Sequence, residues 1–307
     1  MKSARLICGA LVVAMTTGLA GTPAAAQSIE PRAYSAAPVG TNFVILAYSE
    51  AHGALPVDTA LPLSDIDLEV RALIVAYARS LNLWGKSAKI DIIAPYGKLS
   101  GDAVYLGEPI SRRVSGLSDP AARVTILLHG APAMTPGEFR DYRQDLLIGA
   151  SVQLFVPIGQ YDEERLLNLG TNRWAIKPEI GLSKAWGRWT LEGAAGATFF
   201  TANSHFFGDH ERTQKPIYSA QAHLIYNLAP GTWFAANLSW FGGGRTSLDG
   251  IDDRNLQKNW RAGVIGALPL NRRVSLKANV SKGVSTRTGN NFDLYGIALQ
   301  YRWGAGS

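Results

Sequence analysis

The residues of this 307-residue chain that could do chemistry are histidines and carboxylates, because the single cysteine, Cys8, lies near the N-terminus. His205, Asp209, His210 and Glu211 lie close enough together to ligate a metal, but their spacing matches no zinc pattern. Asp249, Asp252 and Asp253 could offer oxygens to calcium. Loop charges of both kinds are more often simply solvated, so no metal site is assigned. His223, beside Gln221, could serve as a base in a lipid-acting enzyme. No serine near it sits in a matching motif, and a histidine lining a polar wall is the preferred reading. No catalytic residue and no cofactor are assigned.

The elements that carry these residues alternate with a period of two. In Asn290–Trp303, Tyr295, Ile297, Leu299, Tyr301 and Trp303 share one parity, and Gly296, Ala298, Gln300 and Arg302 share the other. A β-strand presents such a pattern on its two faces. Aromatics bracket the apolar face, which suits a strand whose ends meet two water–lipid interfaces. Twelve segments from Thr41 onward read this way. Between them, short links such as 83–85 and 186–187 alternate with long ones such as 98–118, 158–172, 201–215 and 242–257. Tight turns on one side and long loops on the other predict a transmembrane antiparallel up-and-down β-barrel of about twelve strands. A soluble β-sandwich also alternates. It would, however, expose uniformly uncharged, aromatic-ended faces as sticky patches.

On this parity the polar faces line a lumen. They carry Glu69, Arg71, Arg79, Lys89, Asp91, Arg123, Lys177, Glu179, Glu192, Gln221, His223, Arg261, Lys277 and Arg302. One reading is a packed interior in which charges pair across strands. The other is a selectivity lining whose surplus cations favour anionic solutes.

The ends of the chain fit export. Lys2 and Arg5, the apolar run Leu6–Leu19 and Ala24-Ala25-Ala26 predict a signal peptide over residues 1–26. Its removal leaves 28 basic against 24 acidic residues, a charge of +4 with no basic run, which argues against a nucleic-acid partner. Later stretches are too short and too charged for a membrane helix, so insertion would be by strands. Residues 27–41 read as an irregular periplasmic leader or an inward plug, 42–303 as the barrel and 304–307 as a tail. Thr135-Pro136-Gly137-Glu138 has capping-box spacing with proline at the first helical position, predicting a short periplasmic helix from Pro136 to Leu146.

Several stretches resemble one family. They include Ile29-Glu30-Pro31-Arg32-Ala33-Tyr34, Pro38-Val39-Gly40-Thr41-Asn42-Phe43, Gly159-Gln160-Tyr161-Asp162 and Gly170-Thr171-Asn172-Arg173-Trp174. Others are Lys177-Pro178-Glu179, Pro216-Ile217-Tyr218, Gln221-Ala222-His223, Gly243-Gly244-Arg245-Thr246, Gly283-Val284-Ser285-Thr286-Arg287 and Tyr301-Arg302-Trp303-Gly304. Together they resemble the family described as the MetA-pathway of phenol degradation, over essentially the whole exported chain. That resemblance implies an outer-membrane barrel associated with the breakdown of aromatic compounds, and brings no defined binding residues with it. The expected function is a channel or facilitator for small aromatic or anionic solutes; the alternative is a non-conducting structural or receptor-like barrel. Expected partners are outer-membrane lipid and lipopolysaccharide, the barrel-assembly machinery and small solutes.

Overall fold

The computed structural model describes residues 31–54, 63–105, 107–287 and 291–305. The expected signal peptide lies outside the described residues. The strands are β1 (Thr41–Ala54), β2 (Leu63–Leu83), β3 (Lys86–Tyr105), β4 (Glu108–Leu117), β5 (Ala121–His129), β6 (Leu146–Phe155), β7 (Ala175–Trp186) and β8 (Trp189–Phe200). There follow β9 (Asn203–Phe206), β10 (His210–Gln214), β11 (Ile217–Ala229), β12 (Thr232–Gly243), β13 (Thr246–Leu248), β14 (Ile251–Asp252), β15 (Gln257–Pro269), β16 (Val274–Ser285) and β17 (Asn291–Gly304). Among the described residues one helix, α1 (Pro136–Asp141), joins β5 to β6.

Twelve of these strands close on themselves. All neighbours are antiparallel, and β17 pairs with β1 to seal the ring. Closure leaves no unpaired edge, the condition for a sheet to cross a bilayer. A hydrogen-bonded row that leaves β7 at Ala185 passes through Thr190, Ile225, Ala235, Ile265, Asn279, Gly296, Ser49, Ala72 and Gly97. Continued across β5 and β6, the register returns to β7 level with position 171, fourteen residues higher. Such a stagger over twelve strands corresponds to a strand tilt of roughly 40°.

Outward residues form an apolar belt with aromatic rims. Tyr218, Tyr295, Trp260, Phe199 and Tyr96 are exposed at the upper rim. At the lower rim Trp189 packs on Tyr226 (ring centroids 4.8 Å apart) and Tyr301 on Trp303 (5.6 Å). From Tyr218 to Tyr226 is eight residue steps, about 20 Å of height at this tilt, which matches the apolar band of such barrels. This is the wall of an outer-membrane protein.

Three expectations are corrected. The segment 98–118 is not a loop: β3 runs on beyond the belt and folds back as β4, with Tyr96 opposite Leu117 and Tyr105 opposite Glu108. Within 201–215 and 242–257, β9, β10, β13 and β14 form a separate four-stranded sheet at the outer end. The helix is shorter than expected, ending at Asp141. Its capping box is formed: Glu138 N–H donates to Thr135 Oγ1 (3.4 Å) and Thr135 N–H to Glu138 Oε2 (2.7 Å).

Two segments fold inward. The leader turns at Pro31–Tyr34 and places Tyr34 inside the barrel, 3% exposed. From the other end the β6–β7 connection brings in Leu169, fully buried against Leu68, Val70, Leu99, Ala51 and Phe292.

Candidate functional site

The lumen is the candidate site, and its inner wall has two characters. Along β17, β1 and β2 it is built of small and aliphatic side chains, with Ala47, Ala72, Ile74 and Ala298 forming one cluster. Along β3, β5–β8, β11 and β12 it is polar and charged. Asp91 on β3 accepts from Arg123 Nε on β5 (3.1 Å), and Lys89 Nζ lies 3.3 Å from its other oxygen. Lys177 and Glu179, two residues apart on β7 and both buried, pair at 2.9 Å. Gln221 on β11 donates to Glu179 from 3.4 Å. Asp91 meets Arg123 because inward residues of neighbouring strands stand opposite one another, whereas Lys89–Asp91 and Lys177–Glu179 join successive inward residues of a single strand.

A second polar row crosses β7, β8, β11 and β12. Ser183, Glu192, His223 and Asn237 are register partners in sequence. Ser183 Oγ donates to Glu192 Oε1 (3.0 Å), and His223 Nδ1 lies 2.8 Å from Asn237 Oδ1. His223 is therefore an inward polar residue engaged with an amide. Arg261 on β15 lies 3.8 Å above the Phe292 ring and donates to the Phe292 carbonyl (3.2 Å) and Ser281 Oγ (3.0 Å). Lys277 faces inward from β16 and is partly accessible. Arg302 has inward parity but stands at the periplasmic mouth, exposed, with its Nε donating to the Arg272 carbonyl (2.9 Å).

Glu69, Arg71 and Arg79 do not face the lumen. They alternate with buried Leu68, Val70, Ala72 and Ala78 and share the outer face with Leu73 and Val75, each about half exposed. Arg71 pairs there with Glu69 and, at 3.2 Å, with Glu50. The parity misleads because both faces of β2 are apolar at mid-height. The eight steps from Arg71 to Arg79 are about 20 Å, so the charges mark the belt's two water interfaces and not an aqueous inside.

Two contributors lie outside the expected set. Arg32 of the leader reaches β8, β11 and β12: its backbone N–H donates to Glu192 Oε2 (2.6 Å), its guanidinium bonds Asn227 and lies 4.9 Å over the Trp233 ring. Burial pulls its pKa below the usual arginine value, against the opposing pull of Glu192. Tyr34 donates to Glu179 Oε1 (3.1 Å) and lies 3.2 Å from Ser151 Oγ. Its ring sits where Gly149 and Gly181, cross-strand neighbours, lack side chains; a Cβ at Gly181 would overlap the ring. Burial, then the Glu179 charge, raises the phenol well above its usual range.

In the loops, His210 Nδ1 lies 2.5 Å from Asp249 Oδ2, while Lys215 and Arg245 both approach Asp252 (3.4 Å). The two contacts to Asp252 are ion pairs, and all three tie together the segments of the outer sheet. The hydrogen bond from His210 first, then the Glu211 N–H, holds the Asp249 carboxyl below the usual carboxylate range.

Among solved structures the chain is similar to an outer membrane channel from Pseudomonas putida F1, with 20% identity over 90% of this chain and 100% of that one and a TM-score of 0.75. The β domain of the Bordetella autotransporter BrkA (12% identity, 87% and 99% coverage, TM-score 0.48) and the NanC porin (8%, 84% and 98%, 0.47) are more distant. No curated protein sequence matches the chain. A family model described as "Putative MetA-pathway of phenol degradation" matches residues 51–301. With a closed twelve-stranded barrel and a match over most of its length, the chain belongs to that family of outer-membrane barrels.

Proposed function

We propose that the protein is a diffusion channel for small solutes, with a preference for anionic organic compounds, and that the leader is its periplasmic plug. One observation carries this reading. On the barrel strands, inward Lys89, Arg123, Lys177, Arg261 and Lys277 stand against inward Asp91, Glu179 and Glu192, while Gln153, Gln221 and Lys277 stay partly open to water. A surplus of one sign on a confined wall raises the local concentration of the opposite ion. The family description adds aromatic compounds as the candidate cargo.

A second reading is favoured by the pairing itself. Arg123 with Asp91 and Lys177 with Glu179 are close, buried pairs of the kind that fills a structural barrel. The two readings part in planar bilayers and in liposome swelling. A channel gives discrete conductance steps, an anion-selective reversal potential and faster swelling in benzoate than in a neutral solute of similar size. A sealed barrel gives none of these, and that result would remove the transport reading.

A further inference from the structure

The described part of the leader, residues 31–40, does not fill the lumen evenly. Tyr34 lies against β6 and β7, Arg32 against β8, β11 and β12, and Ala33 packs with Leu127 and Leu147 of β5 and β6. Its return leg crosses below β2 and the α1 connection, where Val39 N–H donates to Met134 O (2.9 Å) and Gly40 N–H to Ser80 O (3.0 Å). Inside the lumen these contacts run along one arc, β5 to β12, and at the foot of the barrel the leader meets β2 and, through Thr41 Oγ1 on the Ala305 carbonyl (2.7 Å), the end of β17.

On the other arc one hydrogen-bonded row stays partly accessible. Ser275 stands opposite Gln300, Gln300 opposite Ile45, Ile45 opposite Ala76 and Ala76 opposite Ile93. All five face inward, and each retains intermediate exposure. In the row above, Ala298, Ala47 and Ile74 are buried. Because rows climb at the strand tilt, this one rises from the periplasmic mouth at β16 to mid-lumen at β3. Lys277, next inward residue above Ser275, flanks its entry.

Resting on the channel reading, we propose that solute passes the leader along this ramp and that the ramp suits small organic monoanions. A hydroxyl, an amide and an ammonium (Ser275, Gln300, Lys277) line its lower end. Aliphatic carbon (Ile45, Ala76, Ile93) lines its upper end. A carboxylate with an apolar body matches both ends, whereas a small, strongly hydrated ion gains nothing from the aliphatic stretch and sheds water to cross it.

The test uses single cysteines, since Cys8 lies in the expected signal segment and the exported chain then carries no other thiol. Gln300→Cys and the near-isosteric Ser275→Cys lie on the ramp; Ser183→Cys lies under the leader. In planar bilayers a bulky charged methanethiosulfonate reagent is expected to cut the current severalfold in the two ramp variants and to leave Ser183→Cys unchanged. In swelling assays Lys277→Ala is expected to slow benzoate severalfold more than a neutral sugar. Block at Ser183 with none at Gln300 or Ser275 would overturn the ramp while leaving a conducting channel. Absence of current in wild type and also in Gly181→Val, which evicts Tyr34, would overturn the channel reading and the ramp with it.

Discussion

Tyr34 shows how much one side chain can decide here. The ring occupies a socket made by two missing side chains on neighbouring strands, and its hydroxyl engages Glu179 and Ser151. Filling the socket removes the space without touching the polar partners. Gly181→Val is therefore expected to expel the ring and free the leader, raising single-channel conductance and exposing Arg32 to trypsin; Tyr34→Ala should act in the same direction. Unchanged conductance and trypsin resistance in both variants would mean that Arg32 alone retains the leader. None of this was legible beforehand. Gly149 and Gly181 are unremarkable glycines 32 positions apart, and only the register that sets them side by side makes a cavity. The inward stations of Asp91, Arg123, Lys177, Glu179 and His223 were readable, because on those strands the outer face is apolar across the belt, with Lys184 only at the foot of β7, and one parity remains for charge.

At the scale of elements, the readable part was what spans the membrane and the unreadable part was what leaves it. Past the aromatic rim no lipid enforces alternation, so the upper end of β3 and all of β4, with Gly101, Gly107 and Pro109, look like loop; pairing of β3 with β2 and of β4 with β3 gives them their order. The inward β6–β7 connection is anchored in the same region by Leu169. Truncating a buried leucine costs about 2–5 kcal/mol, so Leu169→Ala is expected to loosen this connection locally. Protease cleavage within residues 158–172 of the folded barrel, resisted by wild type, would register it. The outer sheet responds to pH instead. Asp249 bridges His210 and the Glu211 amide, and its depressed pKa means that the carboxylate form supports the folded sheet. That support is complete above the ordinary carboxylate pKa of about 4 and is lost as pH falls through the lower folded value. Protection factors of the β10 and β13 amides, with the intrinsic pH dependence of exchange divided out, should fall at pH 3 relative to pH 7 in wild type, and Asp249→Asn should show the low values at both.

For the molecule as a whole, the wall has to satisfy lipid outside and water inside, and β2 tests that most directly because both of its faces are apolar at mid-height. In the register of β1 with β2, Val75 points into lipid near the middle of the belt, and Arg79 sits outward at the lower rim where its guanidinium can reach water. The two positions should then answer oppositely to charge. An arginine facing lipid at mid-depth costs about 2–4 kcal/mol, against about 0–1 near an interface. Val75→Arg is accordingly expected to destabilise the barrel by the larger amount in urea titrations of vesicle-embedded protein, and Arg79→Leu to change it little. The opposite order would place the charged face of β2 on the lumen side. That outcome would reverse every inward and outward assignment on the strand, since a one-residue slip exchanges its two faces. It would also strip the ramp of Ala76 and turn Arg71 and Arg79 into lumen cations, so this pair of variants weighs on the electrostatics of the pore as well as on the strand.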